Sequence, residues 1–357
     1  MEVAVVDRDV ARAFIGSFTS AGGPGIVVAS VDPRTGALTA AGTVSAANPS
    51  YLALGRADGG PVLYAVSETA PGAVTAYDVT GPVPRPLGDP VPVDGDEPTH
   101  LSVAGGHLLT ANYGSGSVSV LPLAADGAPR SPSQVLRHEG SGPHPERQRA
   151  GHAHQVLPDP SGRWVLSVDL GTDSVRVCAL DPATGTLTVR AETALPPGTG
   201  PRHLAFHPSG RHVYVLGELR PVVTVCRWDA AAGALEPVAE VPLPTGGTEG
   251  ADGAEGPVSP SAPVVSADGR FLWAAVRGTD SIVVLALDGT GERAHVVTSV
   301  PCGGHGPRDL VLDPSGTRLY VANKRSGDVT WFDLDGTGVP RPAGSLAVPA
   351  PSTVLFA

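Results

Sequence analysis

The chain has 357 residues, with 46 Gly, 37 Pro, one Met and a formal net charge of −11. Abundant turn formers, and no sustained apolar repeat of helical period, point to many short strands rather than long helices. The acidic balance without a basic cluster excludes nucleic acid as the main partner, and no run approaches the ~18 apolar residues of a membrane helix.

The opening MEVAVVDRDVARAF lacks a basic region followed by a long apolar core, so no signal peptide is expected and the location read is cytoplasmic. RAFIGSFT then reads as a strand, and Asp32-Pro33-Arg34-Thr35-Gly36 as a turn. From Ser50 a hairpin pattern recurs. SYLALGRADGGPVLYAVSE (50–68) and THLSVAGGHLLTANY (99–113) are weaker copies. HQVLPDPSGRWVLSVDL (154–170), the copy from Arg202 to Glu218, SAPVVSADGRFLWAAVR (261–277) and RDLVLDPSGTRLYVANK (308–324) are clear ones. A third strand such as SVRVCALD follows most copies, and a D-P-x-T-G or D-G-T-G turn leads to a fourth.

Repeats of 47 to 59 residues, each of four short strands, predict a propeller. Six are continuous. The seventh is split, with PSTVLFA at the C-terminus matching PSYLAL and supplying a strand beside RAFIGSFT, so the ring closes without open edges. The expectation is one all-β domain over 1–357, a seven-bladed β-propeller of four-stranded antiparallel blades. Two connections stand out. The Gly-rich, acidic 245–261 insertion reads as a flexible surface loop, with a lid as its alternative, and 137–154 reads as shaping a pocket mouth.

Equivalent repeat positions project in equivalent directions. The column opening the first strand reads Ser50, Thr99, His154, Arg202, Ser261, Arg308 and Ser352. The column closing the second reads Glu68, Tyr113, Leu170, Glu218, Arg277 and Lys324. Such charges can simply keep a wet channel solvated. Yet His154, Arg202, Glu218 and Arg277 on three adjacent blades form an acid–base pair with two guanidinium groups, a chemically complete set. His203, His207 and His212 read as turn, surface or strand-packing residues. Cys178, Cys226 and Cys302 are too far apart for a disulfide framework, and no cluster has metal spacing, so neither a metal nor a cofactor is expected.

PERQRAGHAHQV, GPRHLAFHP with LGEL, and GPRDLVLDPSGTRLYVAN resemble the lactonase family of seven-bladed propellers over nearly the whole chain. That family includes propeller-type 6-phosphogluconolactonases and carboxy-cis,cis-muconate cyclases. The resemblance places its histidine on His154, its two arginines on Arg202 and Arg277, and its glutamate on Glu218. The chain departs from some relatives in carrying Ser261-Ala262-Pro263 at the fifth full repeat.

The function expected is opening of a lactone on a small anionic molecule. Arg202 and Arg277 would hold its anionic group, Glu218 would act as base and His154 as acid, with those two roles exchangeable. Arg308 and Lys324 would extend the positive arc, with Glu68, Tyr113 and His152 completing the binding surface. The alternatives are a cycloisomerase or lyase using the same groups, and a non-catalytic binding scaffold. The partner expected is a small anion in the channel, with neither nucleic acid nor membrane, on a monomer or a dimer.

Overall fold

The computed structural model describes residues 11–246 and 257–357. The first ten residues, read above for a leader, and most of the 245–261 insertion lie outside the described residues. Seven antiparallel sheets, here blades I to VII, account for the strands. Blade I joins the two ends of the chain: Pro351–Phe356 pairs with Arg12–Ser17, which continues into Ile26–Val31 and Leu38–Val44. Blades III to VII each take four consecutive strands, innermost first. In blade II the fourth position is split into Arg85–Pro86 and Val91–Pro92, both paired with Ala73–Asp78. The split blade and the four-stranded sheets match the propeller read from the repeats.

The innermost strands touch their neighbours all round, and Pro351–Phe356 contacts both Pro307–Leu312 and Leu52–Ala57. The apolar residues of the repeats pack between blades rather than around one centre. Separate buried clusters fill each of the seven seams, such as Leu166, Val177, Val215 and Trp228 between blades IV and V. This follows from strand alternation, since each blade has two faces and both are covered by a neighbour.

An aromatic residue of the second strand pins many seams. Tyr64, Tyr214 and Tyr320 donate their hydroxyls to Gly127, Gly291 and Gly36 carbonyls at 2.9, 2.7 and 2.7 Å. Trp164 and Trp273 donate Nε1 in the same way to Ala230 and Gly338 at 2.8 and 2.7 Å. Each acceptor lies in a turn of the following blade. That use explains the D-P-x-T-G signal. Asp32 Oδ1 accepts from the Arg34 and Thr35 amides at 2.8 and 3.0 Å, and Gly36 turns back at φ 69°. A Cβ on Gly36 would sit 2.5 Å from the Tyr320 hydroxyl. Among the described residues no helix is long and apolar enough to cross a membrane.

Candidate active site

The first column of side chains is aimed by a repeated backbone device. Pro98-Thr99, Ala153-His154, Pro201-Arg202, Pro307-Arg308 and Pro351-Ser352 all open innermost strands. Proline is tolerated at a strand start because no ladder bond there needs its missing N–H. Directly after it the register slips. Pro201 pairs with Gly217 and His203 with Leu216, leaving Arg202 as the extra residue of a β-bulge. The same slip falls at Thr99, His154, Arg308 and Ser352, and at Ser261-Ala262 in blade VI. A bulge bends the strand and re-aims the side chain it frees, here into the channel.

The second column follows the residue paired across from that proline. Ser17, Asn112, Gly217, Val276 and Asn323 face prolines, and Phe18, Tyr113, Glu218, Arg277 and Lys324 come next. Phe18 is the member that blade I contributes. Sequence reading left it out, although FIGSF aligns with YVANK once the split blade is accepted.

Seven of the nine candidate residues line one cavity of about 290 Å³: His154, Arg202, Glu218, Arg277, Arg308, Glu68 and Tyr113. The other two stand beside it. His152 stacks on Tyr113 at 4.5 Å and donates Nδ1–H to the Tyr113 carbonyl at 2.8 Å. Lys324 places Nζ 4.0 Å from the Phe18 ring centre, and the Arg308 guanidinium lies over the same ring at 5.1 Å. Leu170 is fully buried and takes no part in the lining. Arg147, Glu97 and Thr99 complete the wall.

Glu218 is the hub. Its Oε2 lies 3.0 Å from Arg202 Nε and 3.0 Å from Arg277 NH2, and its Oε1 accepts from Arg147 NH2 at 2.8 Å. Each arginine is also tied to the scaffold. Arg202 donates to the Ser261 carbonyl, Arg277 Nε to the Ser259 carbonyl at 3.1 Å, and Arg147 NH2 to the Tyr113 hydroxyl at 3.1 Å. Burial alone would raise the Glu218 carboxyl, but Arg277, Arg202, His154 and Arg147 outweigh it and hold it well below the usual carboxylate range. Burial and the neighbouring Arg277 lower Arg202 to about 9 against the pull of Glu218. Burial and Arg202 hold His154 well below the ordinary imidazole range, and its Nδ1 has no hydrogen-bond partner.

Beneath this ring lies a second layer that sequence reading missed. Of the roles expected for His203, it takes packing rather than a turn or surface place. It is buried in the channel, 5.3 Å from the His154 ring and 5.5 Å from His100, which lies 4.1 Å from Tyr51. Asp309 belongs to the same layer and accepts from the Thr353 hydroxyl at 2.9 Å and the Val354 amide at 3.1 Å. Tyr51, His100, His203 and Asp309 each follow a first-column residue directly. The expectations for His207 and His212 agree with their places: His207 braces the turn through Ser209 at 2.8 Å, and His212 opens the second strand of blade V.

Among the described residues no three His, Cys, Asp or Glu side chains converge as a metal-binding group. Glu218 faces guanidinium groups, and the wall as a whole carries more cations than anions, which suits an anionic guest.

The model of the family described as "Lactonase, 7-bladed beta-propeller" matches residues 12–356. A 6-phosphogluconolactonase of Bacillus subtilis is 33% identical over 356 residues, covering 96% of this chain and 97% of its own. A 6-phosphogluconolactonase of Formosa agariphila is 27% identical, covering 90% and 92%. The solved structure of a periplasmic gluconolactonase of Pseudomonas aeruginosa superposes with a TM-score of 0.88 at 32% identity, covering 98% and 99%.

Proposed function

Since the chain belongs to the lactonase family of seven-bladed β-propellers, we propose that it hydrolyses the lactone ring of a small anionic substrate in the channel pocket lined from blades II to VII. The observation that carries this reading is the meeting of His154, Arg202, Glu218 and Arg277 in one cavity. The names of its relatives point to a sugar-derived lactone.

The electrostatics favour one assignment of roles. Glu218 accepts a hydrogen bond from Arg147, pairs by charge with Arg202 and Arg277, and stays ionised, which makes it a weak base and a firm anchor. His154 stays neutral at physiological pH, so its lone pair is available, and the charge it gains on taking a proton is offset by Glu218 against Arg202. His154 therefore takes a proton from water as the water oxygen bonds to the lactone carbonyl carbon. The carbonyl electron pair moves onto oxygen, and Arg202 and Arg277, fixed by Glu218, stabilise that oxyanion. When the tetrahedral species collapses, the ring C–O bond breaks and the departing alkoxide takes the proton from His154. Both proton-transfer roles then fall to His154, and Glu218, expected from sequence as the base, serves as the anchor of the arginines.

A panel of neutral, carboxylated and phosphorylated lactones, followed by proton release and product analysis, tests the reading. Ring-opened acid from at least one, lost in His154→Gln, is the expected result. No proton release from any lactone would overturn it.

A further inference from the structure

The five cations of the site fall into two groups. Arg147, Arg202 and Arg277 all engage Glu218. The Arg308 and Lys324 side chains have no hydrogen bond or ion pair among the described residues, and their common contact is the ring of Phe18. Both are at least partly buried. We propose that Arg308 and Lys324, set on Phe18, form a subsite for a second, non-reacting anionic group of the substrate, a phosphate or a carboxylate.

The proposal rests on the lactonase reading for the word substrate, but the subsite follows from geometry. A half-buried cation without a direct ion-pair partner is costly, and here two are held beside one another with Glu68 pulling on both only from beyond ion-pair distance. Arg308 is lowered by burial and by Arg277, and Lys324 by burial and by Arg308, so each disfavours its neighbour's charge. An anion between them relieves that repulsion. The Phe18 ring steadies both cations through its electron-rich face without supplying a charge that would compete with the guest. The three arginines on Glu218 already spend donors on that carboxylate and on backbone carbonyls, leaving less of their forks for a remote group.

Glu68 fixes what else the guest carries. It lines the same cavity, and its Oε2 is buried without a hydrogen-bond partner. A carboxylate there repels a bare anion but accepts from hydroxyls. The guest that satisfies both halves is a hydroxylated lactone with its anionic group directed to blade VII and a hydroxyl directed to blade II.

Inorganic phosphate and malonate, titrated calorimetrically into the full-length protein, test the subsite without catalysis. Binding of either to wild type, weakened about ten-fold or more in Lys324→Gln and in Arg308→Gln, is expected for hydrogen bonds to charged groups worth ~1.5–3 kcal/mol. The tighter of the two probes identifies the group. In kinetics, the loss of kcat/KM in Lys324→Gln should be larger for a phosphorylated or carboxylated lactone than for its neutral counterpart. Absence of binding to wild type, equal binding to the variants, or equal losses on both lactones would overturn the subsite. The two readings fail separately: anion binding that depends on Lys324 without any lactone opening keeps the subsite and removes the lactonase assignment.

Discussion

Arg202 and Glu218 leave the two strands of one hairpin in blade V and meet again over the channel, Nε to Oε2 at 3.0 Å, with both side chains nearly inaccessible to water. The hairpin thus delivers a cation and its counter-ion to the same point, and the neighbouring blades add Arg277 and Arg147 around the pair.

Replacing Glu218 by Gln keeps the shape but leaves guanidinium groups facing one another. Removing one partner of a buried pair costs roughly 3–5 kcal/mol, so the variant should unfold at clearly lower denaturant. The Glu218 pKa is depressed in the folded state, so its stabilisation is present above the unfolded carboxylate pKa and fades as pH falls through the folded value. The wild-type advantage should therefore be full near neutrality and shrink below about pH 4. Equal unfolding midpoints at neutral pH would refute the anchoring role.

Arg277→Lys should keep the fold and lose about ten- to a hundred-fold in kcat/KM, the kinetic equivalent of one charged hydrogen bond. Arg277 uses its fork on both Glu218 and the Ser259 carbonyl, and an ammonium cannot span that pair in the same plane. Lys324→Arg, at the Phe18 platform, should be much milder. Steady-state kinetics on both variants checks the contrast.

Burial and Arg202 push His100 down to about 3, and burial with the same arginine holds His154 and His203 well below the imidazole range. The unfolded chain therefore takes up these protons first, and stability falls as pH drops below about 6.5. His100, held at about 3, contributes about 2 kcal/mol to the loss between about pH 7 and 5, and His154 and His203 add to it in the same direction. Denaturant unfolding at the two pH values should show this decline, and His100→Phe should reduce it by about 2 kcal/mol.

Deleting 351–357 should destabilise all seams rather than fray one blade. It removes the partner of Arg12–Ser17, uncovers the Asp309 carboxyl and takes Val354 from the blade VII–I core. Thermal melting of the truncated chain tests this, and an unchanged cooperative transition would speak against ring closure through that strand.

The repeats made the blades, the split closure and most of the pocket wall legible, because each unit carries the same turn chemistry and the same alternation. Phe18 escaped because its blade is split between the two ends of the chain, and the column was read from the six continuous repeats. Arg147 escaped because the 137–154 connection has no counterpart in other blades, so no column could place it. The second layer was hidden for a different reason. Strict alternation sends His203 to the face opposite Arg202, and likewise Asp309 from Arg308. The bulge at each first-column residue breaks that alternation and turns both neighbours to the channel.

The seam in blade I has a further consequence. Ala357 donates its amide to the Arg12 carbonyl at 2.8 Å, so the two described ends of the fold lie side by side on one sheet. A short peptide joining them, with the chain reopened at a connection between two other blades, would yield a circular permutant in which every strand keeps its neighbours. The order in which the blades are translated is then separable from the architecture, and any blade can serve as the one that locks last.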